Sequence, residues 1–180
     1  MAKVAVIGSG FVGRAWAISF ARAGCEVALW DQDKDAPAKA RAYIDRLLPE
    51  LEANDLLNGA AVSEVGARIR VATTLEAALE GTVHVQENTP EDVEVKRAVF
   101  ARLDAAAPAD AVLASSTSAI LPSAFTENLK GRARCLVIHP INPPYLSFPR
   151  PKLSPRHGPI RRSSSAPRSS CAPRAMRRSS

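Results

Sequence analysis

The sequence predicts an α/β fold in which a doubly wound parallel sheet carries helices on both faces. Residues 3–8 form a short β-branched apolar run, and over residues 11–23 the apolar positions change to helical spacing. Gly24 follows at a position that favours a helix end, and Glu26–Trp30 is again a short apolar run. One β-α-β unit is therefore complete within the first 30 residues.

The alternation of strands and helices continues to residue 146. A long helix is predicted over residues 36–57, where Pro49 should kink or interrupt it, and shorter helices over residues 75–79 and 91–106. The other predicted strands are residues 69–72, 83–86, 111–115 and 135–139. Such alternation implies a parallel sheet that is buried on both faces.

The composition changes abruptly at residue 147. Residues 147–180 contain nine Ser, six Pro and nine Lys or Arg, without any Asp or Glu. We expect this basic tail to be disordered, because it has too little apolar surface to offset its ordering entropy. Although the whole chain carries a net charge of +6, residues 1–146 hold 15 basic and 18 acidic residues, a net charge of −3. The arginines of the tail lack interleaved aromatic residues, so no specific nucleic-acid partner is expected.

The three cysteines, Cys25, Cys135 and Cys171, are odd in number and contain no CxxC pair. We interpret them as buried free thiols of a reducing compartment and expect no metal site. The first apolar run ends in glycines and lacks a basic leader, and no stretch approaches the roughly 20 apolar residues of a membrane span. The sequence therefore predicts a cytoplasmic protein without a membrane partner.

A glycine pattern, GxGxxG, separates the first predicted strand from the first helix. It comprises Gly8, Ser9, Gly10, Phe11, Val12 and Gly13. The first glycine permits a tight turn, the second lets the backbone approach a pyrophosphate, and the third lets the helix pack on the strand. This context indicates a Rossmann-type dinucleotide site. The alternatives are ordinary turn glycines and a flavin site.

An acidic residue, Asp31, ends the second predicted strand, 18 positions after Gly13. Its carboxylate can accept hydrogen bonds from the adenosine ribose, whereas it would repel the extra phosphate of NADP. The next residue, Gln32, offers no positive charge to hold that phosphate. The predicted cofactor is therefore NAD, and the alternative interpretation of Asp31 is a solvated carboxylate at a strand end.

Five longer segments of the sequence allow a comparison that extends beyond the glycine loop. They are VAVIGSGFVGRAWAISFARAG, WDQD, VHVQENTPEDVEVKRAVFARLD, LASSTSAILPS and HPINPPY. These segments resemble the NAD-binding domain of the 3-hydroxyacyl-CoA dehydrogenase family, most closely its lambda-crystallin branch, over residues 3–146. The resemblance implies cofactor contacts at Glu91, Lys96, Ser118 and Asn142, in addition to the glycine loop and Asp31. On spacing alone, Glu91 and Lys96 would be a solvated pair on a helix surface.

The resemblance also makes His139 the catalytic base, with Ser118 near the reacting hydroxyl. Oxidation of a secondary alcohol needs a base for the hydroxyl proton, and imidazole suits neutral pH. By pattern alone, a histidine after an apolar strand is more often structural. His84 is interpreted as a packed strand residue, and His157 falls in the tail.

The chain departs from the family after its histidine. Family members carry a glutamate twelve residues later that orients the ring, but here that position is Pro151, and no Asp or Glu follows Glu127. We expect that the family's helical C-terminal domain, which forms its dimer, is absent, and that a frameshift or sequencing error produced the tail. Two functions stay open: an NAD-dependent dehydrogenase, or a cofactor-binding module with little turnover.

The substrate is the least defined part of the prediction. L-gulonate, a 3-hydroxyacyl-CoA and carnitine-like 3-hydroxy acids all offer a suitably placed secondary alcohol. Where the fatty-acyl branch has a polar contact to coenzyme A, this chain has the apolar Leu47. That difference disfavours the acyl-CoA without excluding it.

Overall fold

A computed structural model describes residues 1–147 of the chain. The strands are β1 (Lys3–Ile7), β2 (Glu26–Trp30), β3 (Ile69–Val71), β4 (His84–Glu87), β5 (Val112–Ser115) and β6 (Cys135–Val137). The helices are α1 (Phe11–Arg22), α2 (Ala36–Ala53), α3 (Val62–Ala67), α4 (Leu75–Leu79), α5 (Val93–Ala106), α6 (Ser123–Thr126) and α7 (Pro144–Ser147), with a 3-10 turn at Arg132–Arg134. The predicted disorder of the basic tail concerns residues that, apart from Ser147, lie outside the described range.

The six strands form one parallel sheet in the order β3-β2-β1-β4-β5-β6. The chain builds outward from β1 in one direction and then returns to build outward from β4 in the other. The strand order therefore reverses between β1 and β4, and the carboxyl ends of these strands open a crevice in which folds of this kind bind ligands. The predicted doubly wound α/β fold is confirmed.

Helices cover both faces of the sheet. One buried cluster joins β1 and β2 to α1, α2 and α3, with Trp16, Phe20, Ile44 and Leu48 among its largest members. A second cluster on the other face involves α4, α5 and α6, where Phe100 contacts Phe125. Both faces of the central strands are thus closed to water, as a parallel sheet requires.

Three predicted details of the elements are wrong. Helix α2 ends at Ala53 rather than at residue 57, and Pro49 does not interrupt it, because Leu48 and Leu51 on either side of the proline are buried in the core. Helix α5 begins at Val93 rather than at residue 91, because the Asp92 carboxylate accepts the N–H groups of Glu94 and Val95, both at 2.9 Å, and so caps the helix.

The third error concerns β6, which ends at Val137, so that His139 follows the strand instead of ending it. The short helices α3, α6 and α7 were not predicted at all. Cys25 is buried as expected, but Cys135 is partly exposed. Within residues 1–147 no helix combines the length and apolar character that a membrane crossing needs.

The prediction that His84 is a packed strand residue is confirmed. Its side chain is 3% exposed in β4, its Nε2 lies 3.0 Å from Gln86 Oε1, and its ring contacts Phe20. Burial lowers the pKa of His84 below its ordinary value, although the hydrogen bond with Gln86 opposes that shift.

This buried imidazole predicts a pH-dependent stability. Below about pH 6.5 the unfolded chain binds a proton that folded His84 does not, so the free energy of unfolding should fall from there down to the lowered folded pKa. Urea unfolding at about pH 7.5 and about pH 5.5 measures the loss. The variant His84→Leu should lose less stability between these two pH values than the unmodified chain. If the pH dependence of its stability were unchanged, His84 would not be its source.

Candidate functional site

The glycine loop connects β1 to α1 at the crevice. Gly8 has φ +88°, and a side chain there would meet the carbonyl oxygen of Asn88 at 2.7 Å. A Cβ on Gly13 would lie 1.9 Å from the carbonyl oxygen of Gly8, so α1 packs on β1 only because this residue is glycine. Gly10 has nothing within 4 Å of its Cβ position, which leaves its outer side open to a ligand.

Helix α1 begins without a side-chain cap, with Gly10 as its N-cap residue. Its first N–H groups therefore lack a side-chain acceptor and are available to an anion. Phe11 is 56% exposed at the mouth of the loop, whereas Val12 is half-buried against the core of α1 and α2. The open side of Gly10 and the uncapped helix start together fit the pyrophosphate of a dinucleotide.

Asp31 lies just after β2 and contacts the glycine loop. Its Oδ2 accepts hydrogen bonds from the backbone N–H of Ser9 at 2.7 Å and from the Ser9 hydroxyl at 2.9 Å. Its Oδ1 accepts the backbone N–H of Asp33 at 3.1 Å. The carboxylate is thus held against the loop with acceptor capacity left on Oδ1, while Gln32 is exposed beside it.

A buried ion pair lies at the carboxyl end of β4. The Lys96 ammonium is 3.0 Å and 3.1 Å from the two carboxylate oxygens of Glu87, and the two side chains are 1% and 0% exposed. Glu87 also accepts hydrogen bonds from the Thr89 N–H, the Thr89 hydroxyl and the Ser115 hydroxyl. The Lys96 ammonium therefore lies inside the domain, paired with Glu87, and does not reach the open crevice.

Glu91 precedes α5 and connects this pair to the loop after β5. Its Oε2 lies 3.9 Å from the Lys96 ammonium, and its Oε1 accepts the Thr117 hydroxyl at 2.5 Å and the N–H groups of Ser118 and Ala119, both at 3.0 Å. Partial burial raises the pKa of Glu91, but these hydrogen bonds and the charge of Lys96 outweigh it, so the pKa lies below its usual range. The carboxylate is thus kept ionised and fixes the backbone that carries Ser118.

Ser118 and His139 are brought together by two different loops. The Ser118 hydroxyl lies 3.0 Å from Nε2 of His139, although the residues are 21 positions apart. Both side chains are exposed, and within the described range no carboxylate contacts the ring. Asn142 is exposed three residues further on and is joined to Pro143 by a cis peptide bond.

Several residues of the site were missed by sequence reasoning. Glu87 holds Lys96, and the Ser116 hydroxyl accepts hydrogen bonds from Trp16 at 3.0 Å and Gln86 at 2.8 Å while it donates to Asn88 at 2.7 Å. The sequence feature that could have indicated a role for Glu87 is its position, because a charged residue is unusual at the end of a fully buried strand. Nothing in the spacing indicates the Ser116 contacts, because Trp16 is 100 positions away.

A cavity of about 300 Å³ lies away from the site. It is lined by Arg22, Gly24, Asn58, Gly59 and Arg68 at the opposite edge of the sheet, and none of the predicted site residues lines it. The same part of the chain holds no cluster of three or more His, Cys, Asp or Glu side chains that could bind a metal. The predicted site residues lie instead along the open crevice at the carboxyl edge, where Asp31 contacts the glycine loop and Ser118 contacts His139.

The crevice, the glycine loop and the acid after β2 define a dinucleotide-binding domain of the Rossmann type. Residues 3–148 match the family described as "3-hydroxyacyl-CoA dehydrogenase, NAD binding domain". The chain belongs to this family of oxidoreductases, and the domain is its NAD-binding domain. The resemblance identified from the sequence is thus confirmed.

Known proteins of this family resemble the chain over four fifths of its length. It is 41% identical to the lambda-crystallin homolog of Bos taurus over 147 residues, which are 79% of this chain and 44% of that protein. It is 40% identical to the L-carnitine dehydrogenase of Streptomyces griseus over 144 residues, 80% of this chain and 42% of that protein. The chain therefore spans less than half the length of these two relatives.

The fold also matches solved structures. The structure of 3-hydroxybutyryl-CoA dehydrogenase from Escherichia coli K12 superimposes with a TM-score of 0.73 at 30% identity, over 79% of this chain and 30% of that one.

Proposed function

We propose that the chain supplies the cofactor half of an NAD-dependent dehydrogenase that oxidises the 3-hydroxyl of a hydroxy acid or hydroxyacyl-CoA. The contact between Ser118 Oγ and His139 Nε2 at 3.0 Å carries this proposal. This contact supports His139 as a base and Ser118 as the group that orients the substrate hydroxyl. Both lie at the carboxyl edge of the sheet, where the cofactor loop also lies.

His139 acts as the base in this proposal. In the neutral ring with its proton on Nδ1, Nε2 has one lone pair, which accepts the Ser118 hydroxyl in the free protein. The substrate hydroxyl would take this place and give its proton to Nε2, while the Ser118 hydroxyl turns to donate to the substrate oxygen. Bound NAD supplies the hydride acceptor. The proton thus goes to His139 while the carbinol carbon becomes a carbonyl, and Ser118 orients the oxygen between them.

The cofactor contacts in this proposal follow the geometry of the crevice. Gly8 to Gly13 hold the pyrophosphate, Asp31 accepts from the adenosine ribose, and Gln32 lies beside it. Glu91, Ser118 and Asn142 lie toward the nicotinamide end, and Lys96 acts there through Glu91, because its ammonium is buried against Glu87. NAD is favoured over NADP because the described residues place no cation in contact with Asp31.

A second function, a cofactor-binding module with little turnover, is favoured by one observation. Pro151 stands at the position where the resemblance to the family implies a carboxylate that orients the histidine. An imidazole without such a partner is less well oriented and is less stabilised when protonated.

A single assay separates the two functions. NADH formation is followed with L-gulonate, L-carnitine and 3-hydroxybutyryl-CoA, and NAD binding is measured by calorimetry on the same sample. Turnover supports the dehydrogenase, whereas NAD binding without turnover supports the module. NAD failing to bind the folded chain would contradict both.

The variant His139→Asn tests the base. We expect kcat to fall by roughly 10²–10⁴-fold, because proton transfer loses its acceptor, while the Kd for NAD stays unchanged. Arg132→Gln is the control, since this exposed arginine precedes β6 at the amino edge of the sheet. Unchanged turnover in His139→Asn would remove His139 from the mechanism.

A further inference from the structure

Two arginines line the cavity of about 300 Å³ that lies away from the crevice, which we call the amino-edge cavity. Gly24 comes just before β2 and Arg68 just before β3, so the cavity opens where these two strands begin. Arg22, the last residue of α1, lines it together with Arg68, and none of the described residues in its wall carries a carboxylate. The proposed function uses none of these residues.

Both guanidinium groups are oriented by neutral carbonyl oxygens. Nη1 of Arg22 donates to the carbonyl of Leu56 at 2.7 Å, and Nη1 of Arg68 donates to the carbonyl of Ala21 at 3.1 Å. Arg68 forms no ion pair with any carboxylate of residues 1–147. Burial lowers the pKa of Arg22, because its charge is poorly solvated. The cavity therefore has a fixed positive potential that favours an anion.

The loop before α3 adds further hydrogen-bond donors to the same cavity. Asn58 and Gly59 both have a left-handed backbone, with φ +57° and +79°, and neither of their backbone N–H groups donates a hydrogen bond within residues 1–147. The side-chain Nδ2 of Asn58 is buried and likewise has no partner in that range. Successive N–H groups in a turn form a concave site for an anion, and a buried donor without a partner calls for an acceptor.

We propose that the amino-edge cavity binds a phosphate group, either as inorganic phosphate or on a small phosphate ester. Guanidinium groups bind phosphate through charge-assisted hydrogen bonds, and the donors of Asn58 and Gly59 fit the other oxygens of a tetrahedral anion. The other described residues of the wall are the small Ala23, Gly24 and Ala60, which offer no aromatic ring on which a nucleobase could stack. The phosphate group itself therefore accounts for recognition.

Calorimetry on the full chain tests the site with inorganic phosphate and with methyl phosphate, each with and without saturating NAD. Sodium chloride keeps the ionic strength constant, so that screening is equal in every titration. We expect phosphate to bind equally well with NAD present, because the cofactor loop lies at the other edge of the sheet. The tighter of the two ligands identifies the source of the phosphate group, and methanol, which lacks that group, should not bind.

The backbone amide resonances of Gly59 and Gly10 show by NMR where the phosphate binds. We expect inorganic phosphate to shift the Gly59 resonance in saturating NAD and to leave the Gly10 resonance of the cofactor loop unchanged. A shift at Gly10 without one at Gly59 would place the anion on the cofactor loop and overturn the proposal.

Variants of the cavity provide a second readout. Arg68→Gln should weaken phosphate binding by about tenfold or more, and Arg68→Lys should keep part of the affinity through its charge. Arg70→Gln is the matched control, because it removes the same charge from a side chain that donates instead to the Ala77 carbonyl of α4, at 2.8 Å. Asn58→Gly removes the amide while it tolerates the left-handed backbone, and should weaken binding by about threefold or more.

These results decide the proposal independently of turnover. It would be overturned if phosphate failed to bind the folded chain, or if Arg70→Gln weakened binding as much as Arg68→Gln, because net charge alone would then explain the affinity. If Arg68→Gln does not fold, an unchanged affinity in Asn58→Gly would overturn it instead. A failure of NAD to bind would contradict the proposed function, but a phosphate shift at Gly59 would still support the amino-edge cavity as an anion site.

Discussion

The variant Lys96→Met should destabilise the domain by about 3–5 kcal/mol, because it leaves the Glu87 carboxylate buried without its cation. The two side chains are 1% and 0% exposed, so water cannot replace the lost partner. Urea unfolding gives the free energy directly, with an unchanged m-value as the sign that the folded state stays compact. A midpoint equal to that of the unmodified chain would contradict the buried pair.

Two further variants distinguish loss of charge balance from loss of packing. The double variant Glu87→Gln/Lys96→Met removes both charges, while the amide oxygen still accepts the Thr89 hydrogen bonds. It should recover at least about half of the lost stability. Arg97→Met, the next residue on α5, breaks an exposed pair with Glu94 and an exposed hydrogen bond to the Ala124 carbonyl, and should cost clearly less, at most about 1–2 kcal/mol.

The variant Gly13→Ala should destabilise the fold although alanine favours helices. Helix propensity favours alanine by about 1 kcal/mol. The new methyl group, however, would lie 1.9 Å from the carbonyl oxygen of Gly8, a backbone atom that cannot rotate away. We expect a net destabilisation of about 1–3 kcal/mol and weaker NAD binding, because α1 must move off β1. A stabilised Gly13→Ala variant would show that the loop is not packed as described.

Gly10→Ala is the matched comparison in the same loop. Its backbone has φ −65°, which any residue adopts, and nothing lies within 4 Å of the added methyl group. Stability should therefore hardly change. NAD affinity, measured by calorimetry, should fall by about tenfold or more, equivalent to about 1.4 kcal/mol, because the methyl group occupies the open side of the loop. An unchanged affinity for NAD would show that the pyrophosphate does not bind at the open side of Gly10.

The sequence was sufficient to predict the sheet and its cofactor loop because both depend on local patterns. Apolar runs alternate with helical spacing, and the glycine pattern follows the first apolar run directly, where Gly13 packs against Gly8 of the same β-α-β unit. Element boundaries were less predictable where two signals compete. Pro90 suggested an early start for α5, but the Asp92 carboxylate caps the helix two residues later.

The contacts that organise the crevice could not be read from spacing. Glu87 and Lys96 look like separate charges in a one-dimensional pattern, and only the packing of α5 on the sheet buries them together. Ser118 reaches His139 only after β5 and β6 have paired.

The hydrogen bonds from Ser9 to Asp31 bear on how the proposed ribose contact forms. A free aspartate side chain would have to give up its rotamers when the cofactor arrives, which weakens binding. Here folding has already selected one orientation, because both the backbone N–H and the hydroxyl of Ser9 hold the same oxygen. The carboxylate is therefore preorganised, and the discrimination between the two nicotinamide dinucleotides that we propose for it would act at first contact rather than after a rearrangement.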